Sequence, residues 1–217
     1  MRHYTHSKII SGSHRTNITL VGVGGTGSHV LTGLGQIHHS LRALGHPGLF
    51  VTVYDDDIIT EANIGRQAFA ISDIGHAKAS TLVNRINGHY ALDWDACPLT
   101  YPNDRYMPSH TDIVISCVDT VKARVAIASH IEQSHTPPIY WLDFGNTSHA
   151  GQVVLGTCRA VEQPASNFQT TAVLPSILAL YPDLGTIEEA NDSPSCSVRE
   201  SLLKQDLFIP NLSDFPA

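Results

Sequence analysis

The residues most suited to chemistry begin with a glycine cluster that directly follows a short apolar run. Gly22, Gly24 and Gly27 satisfy the pattern G-x-G-x-x-G, and Gly25 lies between them. In such a turn the first glycine permits a tight bend, the second lets phosphate approach the backbone and the third lets a helix pack on a strand. A helix beginning near Ser28 would add the positive end of its dipole. The cluster therefore predicts a nucleotide phosphate site, although flavins, nicotinamides and methyl donors use similar turns.

Charged and amide side chains follow the glycines and suit the same phosphate chemistry. A carboxylate at the end of the second predicted strand can accept hydrogen bonds from ribose hydroxyls. An arginine offers a planar fork for two-point contact with phosphate, and a lysine offers a compact positive charge. A carboxylate just past another strand is a natural Mg²⁺ ligand, because Mg²⁺ prefers one or two carboxylates together with phosphate oxygens and water. The candidates are Asp55, Asp57, Asn63, Arg66, Lys78 and Asp119.

Several of these residues also have a structural interpretation that the sequence leaves open. Lys78 fits a solvated helix position, and Asp119 fits the cap of a helix that begins near Val121. Asn63 could stabilise its own turn through its side chain. Arg124 lies on a predicted helix and is interpreted as the partner of a surface acid, so it is not assigned to the site.

Hydrophobic patterning predicts alternating strands and helices that would position these residues. Short apolar or β-branched runs indicate strands, and apolar residues at helical spacing indicate helices. The alternation predicts an α/β fold, a Rossmann-like doubly wound and mostly parallel sheet with a long C-terminal crossover loop. The predicted strands are 18–23, 49–54, 94–99, 112–118, 139–144 and 152–155, and the predicted helices are 28–44, 76–86, 121–134, 175–181 and 198–205.

Composition argues against several classes of protein. The 217 residues carry a net charge of -7, whereas a general nucleic-acid binder usually presents a basic face. No apolar run approaches the ~20 residues needed to span a bilayer. The four cysteines form no C-x-x-C pair, and the thirteen histidines form no H-x-x-x-H pair, so neither a zinc site nor a disulfide framework is expected. The sequence therefore predicts a cytoplasmic protein that binds neither nucleic acid nor a membrane.

The order of the motifs resembles the ThiF/MoeB/ubiquitin-activating superfamily over roughly residues 17–155. That superfamily carries a glycine-rich turn, a D-x-D strand end, N-x-x-R-Q, a lysine on the next helix and a C-x-D-N-x-x-x-R segment. Segments 193–198 and 205–209 are most similar to the ThiF-type proteins of bacterial PRTRC gene systems. The matching positions here are 22–27, 55–57, 63–67, Lys78 and 117–124, with a further G-Q pair at 151–152.

The resemblance implies an ATP- and Mg²⁺-dependent adenylyltransferase that activates the C-terminal glycine carboxylate of a small ubiquitin-like protein. It implies an ATP-binding adenylation domain over residues 1–158, with residues 159–217 as a crossover loop and C-terminal helix that complete the same domain. A homodimer is also implied. The roles implied for individual residues are the ribose for Asp55, the phosphates for Asn63, Arg66 and Lys78, Mg²⁺ for Asp119, and general nucleotide contacts for Gly22, Gly24, Gly25, Gly27 and Asp57.

A cysteine near the C-terminus is the candidate nucleophile. In several relatives a cysteine on a mobile segment captures the activated carboxylate as a thioester, and the P-x-C-[ST] context of Cys196 matches that position. A helix following Cys196 would favour its thiolate. The alternative is an inert apolar cysteine, because free cysteines are often buried and some family members stop at the acyl-adenylate.

The chain departs from the superfamily pattern at three points. Gly65 replaces the usual polar residue before the arginine of N-x-x-R-Q. The C-x-x-C zinc motifs of many bacterial relatives are absent, so no structural zinc is expected. Arg2 and Arg15 are poorly placed to act as the arginine that many relatives contribute across their dimer.

Two other functions remain open from the sequence. A non-catalytic nucleotide-binding scaffold of the same fold would retain the glycine turn without the reaction. An NAD(P)-dependent oxidoreductase would explain the glycines and Asp55, but it leaves Arg66, Lys78 and Asp119 without a role.

Overall fold

A six-stranded sheet forms the centre of the protein, which is described by a computed structural model over residues 1–146 and 151–182. The strand order is β3-β2-β1-β4-β5-β6. All neighbouring strands are parallel except β5 and β6, which are antiparallel. The strands are β1 (Thr16–Val21), β2 (Leu49–Tyr54), β3 (Asp95–Cys97), β4 (Ile113–Ser116), β5 (Tyr140–Asn146) and β6 (Gly151–Thr157).

Helices connect β1 to β2, β2 to β3 and β4 to β5, as expected when a crossover must return the chain to the same end of a parallel sheet, whereas the described segment between β3 and β4 contains no helix. Two further short turns of 3-10 helix, Glu61–Asn63 and Ile71–Asp73, lie between β2 and the next long helix. The helices are α1 (Ser7–Ile10), α2 (Gly25–Ala43), α3 (Lys78–Tyr90), α4 (Val121–Gln133) and α5 (Ile177–Leu180).

Apolar side chains cover both faces of the sheet, which explains why β2 and β4 are almost continuously apolar. On one face, Leu20 and Val51 pack with Leu31 of α2 and Leu82 of α3. On the other face, Val21, Tyr54 and Val114 pack with Ile127 of α4 and Ile177 of α5. This is the arrangement of a doubly wound fold, and the predicted α/β, Rossmann-like class is confirmed.

Several element boundaries near the site differ from the sequence expectations. Strand β1 spans 16–21, not 18–23, and β4 spans 113–116, not 112–118. Helix α2 begins at Gly25, not near Ser28, because apolar periodicity does not register glycines that bury no side chain. Helix α3 spans 78–90, not 76–86, since Ala77 is still extended and pairs with Ile58. Strand β2 has its predicted bounds. Helix α1 was not expected, and the predicted helix 198–205 lies outside the described residues.

The N-terminal segment and residues 159–182 pack beside β5. The backbone of Arg2 pairs with Gln169 and Thr171, and its guanidinium lies 3.4 Å from the centre of the Phe168 ring. Val161 is fully buried against Ile139 and Tyr140. The part of the crossover that the structure describes is therefore continuous with the core of the sheet.

Candidate functional site

The glycine turn lies at the carboxyl end of β1, where the order of the sheet reverses between β1 and β4. Gly22 has φ +86°, and a Cβ there would lie 2.7 Å from the Cys117 carbonyl oxygen. A Cβ on Gly27 would lie 1.9 Å from the Gly22 carbonyl oxygen. Both positions therefore require glycine so that the turn can form against the loop after β4.

The two remaining glycines have open space around them. A Cβ on Gly25 would meet no described atom within 4 Å, and one on Gly24 would come only within 3.7 Å of Gln67 Nε2. Gly24 caps α2 and Gly25 is its first residue, so this space lies at the positive end of the helix dipole. A phosphate could approach the backbone there.

Asp55 is tied to the glycine turn. Its Oδ2 accepts a hydrogen bond from the Val23 amide at 2.7 Å, and its Oδ1 accepts one from the Asp57 amide at 3.0 Å. Burial raises the pKa of Asp55, and the Val23 amide and the charge of Lys78 partly oppose that rise. Each oxygen has two lone pairs, so the carboxylate retains capacity for further donors such as ribose hydroxyls.

Lys78 is the first residue of α3 and is held by Asp57. Its Nζ lies 2.7 Å from Asp57 Oδ2, and its amide donates to the Asp57 carbonyl oxygen at 3.0 Å. The Lys78 side chain is 7% exposed while that of Asp57 is 67% exposed. The structural alternative of a solvated helix lysine is therefore wrong, because the ammonium is buried beside the acidic loop after β2.

The segment that contains Arg66 and Gln67 lies near the glycine turn and carries polar atoms that lack hydrogen-bond partners among the described residues. Arg66 Nε and Gln67 Oε1 are buried and have no hydrogen-bond partner among the described residues. Burial lowers the pKa of Arg66. The next residue, Ala68, donates its amide to Ser28 Oγ at 3.4 Å, which places this segment against the first turns of α2. Unsatisfied buried polar groups of this kind are costly and are candidates for ligand contact.

Asn63 stabilises its own turn, as the structural interpretation of the sequence anticipated. Its Oδ1 accepts hydrogen bonds from the Thr60 amide at 2.8 Å and from Thr60 Oγ1 at 3.1 Å. The residue is almost completely buried. Its amide nitrogen is the part of the side chain that would address a phosphate.

Asp119 lies in the loop that follows β4 and is exposed. The loop runs beside the glycine turn, because the Cys117 amide donates to the Val21 carbonyl oxygen at 2.8 Å. Thr120, not Asp119, caps α4, since Thr120 Oγ1 accepts from the Ala123 amide at 3.2 Å. The interpretation of Asp119 as a helix cap is therefore wrong.

Arg124 is not the partner of a surface acid, so that interpretation is wrong as well. It is buried on α4, and its Nε lies 3.1 Å from each carboxylate oxygen of the buried Asp143. Reasoning from sequence missed Asp143 and gave no role to Gln67. A signal for Asp143 was present, because a single acid inside the apolar run 139–144 indicates a buried partner.

The remaining candidates lie elsewhere. Burial raises the pKa of the Cys117 thiol, and Cys97 and Cys158 are also unpaired. Cys196 lies outside the described residues. Arg15 forms an exposed ion pair with Asp93 at 2.6 Å.

The described ranges contain neither a metal-binding cluster nor a membrane-spanning helix. Within 1–146 and 151–182, no three histidine, cysteine or acidic side chains cluster in a way that would hold a metal ion. No helix in the same ranges is long and apolar enough to cross a membrane.

The polar groups around the turn are of the types that suit the phosphates and ribose of a nucleotide. Open backbone amides lie at the N-terminus of α2, and a half-buried carboxylate lies at the end of β2 with the charge of Lys78 acting on it. Arg66 directly precedes Gln67, whose amide nitrogen lies near Gly24. The unsatisfied Arg66 Nε and the space over Gly25 fit an anionic group. Asp119 would supply a carboxylate to a divalent ion that is held mainly by phosphate oxygens and water.

Solved structures of E. coli tRNA N6-threonylcarbamoyladenosine dehydratase, TcdA, are similar to this chain. The complex with ATP is 24% identical with a TM-score of 0.46, over 57% of this chain and 49% of that chain. The complex with AMP is 23% identical with a TM-score of 0.46, over 57% of this chain and 48% of that chain. This chain thus spans about half the length of those proteins. No curated protein matches it.

A match to a family model covers most of the sequence. The model of the ThiF family matches residues 11–198, a range that includes the glycine turn, the loop after β2, Lys78 and Asp119. This chain therefore belongs to the ThiF family.

Proposed function

We propose that this protein is an adenylyltransferase that uses ATP and Mg²⁺ to activate the C-terminal carboxylate of a small ubiquitin-like protein. The observation that carries the proposal is that four features occur around the carboxyl ends of strands β1 and β2. These are the open N-terminus of α2, the half-buried Asp55, the buried Lys78 and the Arg66 Nε, which has no hydrogen-bond partner among the described residues. Membership of the ThiF family supports the same reaction class.

The adenylation reaction requires positive charges at this end of the sheet. An oxygen of the substrate carboxylate forms a bond to the α-phosphorus of ATP, and the bond from that phosphorus to the bridging oxygen breaks as pyrophosphate leaves. Two anions must approach, and negative charge increases on the leaving group. Fixed donors aimed at that charge commonly contribute ~10²–10³ in rate each. Arg66 and Lys78 supply such donors, and the burial of Lys78 supports this role because little water competes for its charge.

Each residue has a separate part in the proposed reaction. Asp55 accepts hydrogen bonds from the ribose, Gly24 and Gly25 let the phosphates reach the backbone amides of α2, and Asn63 donates its amide to a phosphate. Mg²⁺ bound at Asp119 would neutralise phosphate charge. Asp57 holds the Lys78 ammonium in place, so it supports the site through another residue.

Four further parts of the proposal extend beyond the described site. Cys196 captures the activated carboxylate as a thioester, with adenosine monophosphate as the leaving group. Residues 159–217 complete the domain formed by residues 1–158, and the protein acts as a cytoplasmic homodimer. The similarity of segments 193–198 and 205–209 to PRTRC-system ThiF proteins supports assignment to that subgroup.

Isotope exchange from pyrophosphate into ATP tests the reaction. Exchange should require the ubiquitin-like partner, and Asp119→Ala or Arg66→Met should reduce its rate by ~10²-fold or more. Asp93→Ala, which removes an exposed acid paired with Arg15, is the matched control and should leave exchange unchanged. Exchange that survives Asp119→Ala would contradict the metal role.

Binding measurements separate the alternatives. Tight ATP binding without any exchange would instead indicate a nucleotide-binding scaffold. Preference for NADH over ATP in a titration would indicate an oxidoreductase.

A further inference from the structure

A buried polar network connects β4, β5 and α4 beside the candidate metal ligand. Trp141 Nε1 donates to Ser116 Oγ at 2.7 Å, and Ser116 Oγ donates to Asp143 Oδ1 at 2.5 Å. Arg124 Nε donates to both oxygens of Asp143 at 3.1 Å. The Arg124 and Asp143 side chains are 8% and 1% exposed, so each charge is compensated mainly by the other.

Arg124 also holds the backbone next to Asp119. Its Nη1 donates to the Thr120 carbonyl oxygen at 3.4 Å, and its Nη2 donates to the Phe144 carbonyl oxygen at 3.3 Å. Thr120 in turn caps α4 through the Ala123 amide. One side chain thus connects β5 to the residue that directly follows Asp119.

The loop between β4 and α4 is therefore anchored on both sides of Asp119. On the N-terminal side, the Cys117 amide bonds to the Val21 carbonyl oxygen beside the glycine turn. On the C-terminal side, Arg124 holds Thr120. Gly145 leaves room for this contact, because a Cβ there would lie 3.2 Å from Arg124 Nη2. Asp119 itself remains exposed between the two anchors.

A buried ion pair is weak grounds for stability alone, because desolvation of two charges offsets most of their attraction. A better-attested role of such networks is to orient a metal ligand. Loss of the orienting residues typically lowers metal affinity 10–100-fold. We infer that Arg124 and Asp143 are positioning residues that fix the loop carrying Asp119 for binding of Mg²⁺ together with ATP. This inference rests on the proposed function.

Arg124→Lys is the main test, because it keeps a positive charge beside Asp143 but removes the fork that reaches Thr120. Calorimetric titration of ATP at increasing Mg²⁺ should show that the Mg²⁺ concentration giving half of the affinity gain rises about tenfold. ATP affinity in EDTA should remain within about twofold of wild type. In the protein without metal or nucleotide, amide hydrogen exchange should accelerate at residues 118–121.

Two further variants make the result interpretable. Asp143→Asn has nearly the same shape as the wild-type side chain and should shift the Mg²⁺ midpoint in the same direction. Lys8→Gln is the matched control, because Lys8 pairs with Asp112, which is as buried as Asp143 but lies at the opposite end of the sheet. It should leave both the midpoint and the exchange of residues 118–121 unchanged.

The outcomes separate this inference from the proposed function. Wild-type protein that binds ATP without any Mg²⁺ dependence would contradict the proposed metal role at Asp119. A normal Mg²⁺ dependence in wild type with no shift in folded Arg124→Lys would overturn the inference alone. Unfolding of both Arg124→Lys and Asp143→Asn, or faster exchange spread evenly over β4 and β5, would assign the network to stability and would also overturn it.

Discussion

At the scale of single residues, the glycines of the turn have two different roles. Some are required for backbone packing, and others leave space for a ligand. Gly22 and Gly27 are required by close backbone contacts, whereas Gly24 and Gly25 border open space. The motif therefore contains two kinds of glycine, and substitution should reveal the difference.

Gly22→Ala should lower the free energy of unfolding by at least about 2 kcal/mol, because φ is +86° and the new Cβ would lie 2.7 Å from a carbonyl oxygen. Gly25→Ala should fold normally, since alanine suits the first turn of a helix. It should nevertheless weaken ATP binding about tenfold, because the methyl group occupies the space over the helix N-terminus. Thermal melting and ATP titration measure the two effects. Unaltered ATP binding by Gly25→Ala would contradict the proposed phosphate position.

Asp55 should make ATP binding sensitive to acid. Its pKa is raised by burial, so the carboxylate gains a proton at a higher pH than an ordinary aspartate, near 4, would. As pH falls through that raised value, the ribose loses its acceptor and ATP affinity should decrease. Asp55→Asn should bind ATP more weakly at neutral pH and show a flatter pH profile. Asp56→Asn, at the exposed neighbour, is the control and should retain the wild-type profile.

At the scale of elements, the 3-10 turn Glu61–Asn63 sets the position of Asn63 and of the segment that continues to Arg66. The side-chain oxygen Oδ1 of Asn63 stabilises the turn by accepting hydrogen bonds from Thr60. The side-chain amide nitrogen Nδ2 is the group proposed to contact a phosphate. Under the proposed function, one side chain would stabilise the turn with one atom and contact the substrate with another.

Substitution at Asn63 can separate these two roles. Asn63→Asp keeps both acceptor bonds to Thr60, so the turn should still form, although a charge on this buried side chain should lower stability. Pyrophosphate exchange should fall at least tenfold, because a carboxylate repels phosphate. Asn63→Ala should lose exchange and also about 1 kcal/mol of stability. Thr60→Ala weakens the turn from the other side and serves as a control for the turn alone. If Asn63→Asp exchanged at the wild-type rate, Asn63 would have only a structural role.

At the scale of the whole molecule, the N-terminal segment is held to the sheet far from the glycine turn. Asp112 precedes β4 and is fully buried, and it receives Lys8 Nζ at 2.7 Å and the Asn17 amide at 2.9 Å. Burial alone would raise the pKa of Asp112, but hydrogen bonds from Lys8, Asn17 and His110 outweigh it and hold the pKa below its ordinary value.

A depressed carboxyl pKa stabilises the fold above the unfolded pKa, near 4, and that stabilisation is lost as pH falls further. Asp112→Asn should therefore lower the free energy of unfolding at pH 7 by about 2 kcal/mol, with a smaller difference at pH 3. Urea unfolding at the two pH values measures this. Asp93→Asn removes an exposed pair and should change stability by less than about 1 kcal/mol at either pH. A difference for Asp112→Asn that grew on acidification would contradict this assignment.

Local patterns in the sequence were sufficient for the fold class and for most elements. The apolar run 49–54 is strand β2 with the same bounds, and the helix predicted at 121–134 differs from α4 by one residue. These predictions succeed because period and burial are properties of neighbouring residues. The start of α2 was placed too late because Gly25 and Gly27 have no side chain to enter the periodic pattern.

The sequence also supplied the candidate residues Asp55, Arg66, Lys78 and Asp119, and their roles in binding stay predictions. Only the tertiary structure decided which atoms meet. Asp57 pairs with Lys78 across 21 positions, and Arg124 turns inward to Asp143 across 19. Such pairings depend on which strand ends adjoin and on which side chains burial removes from water, and neither is a property of any short stretch of chain.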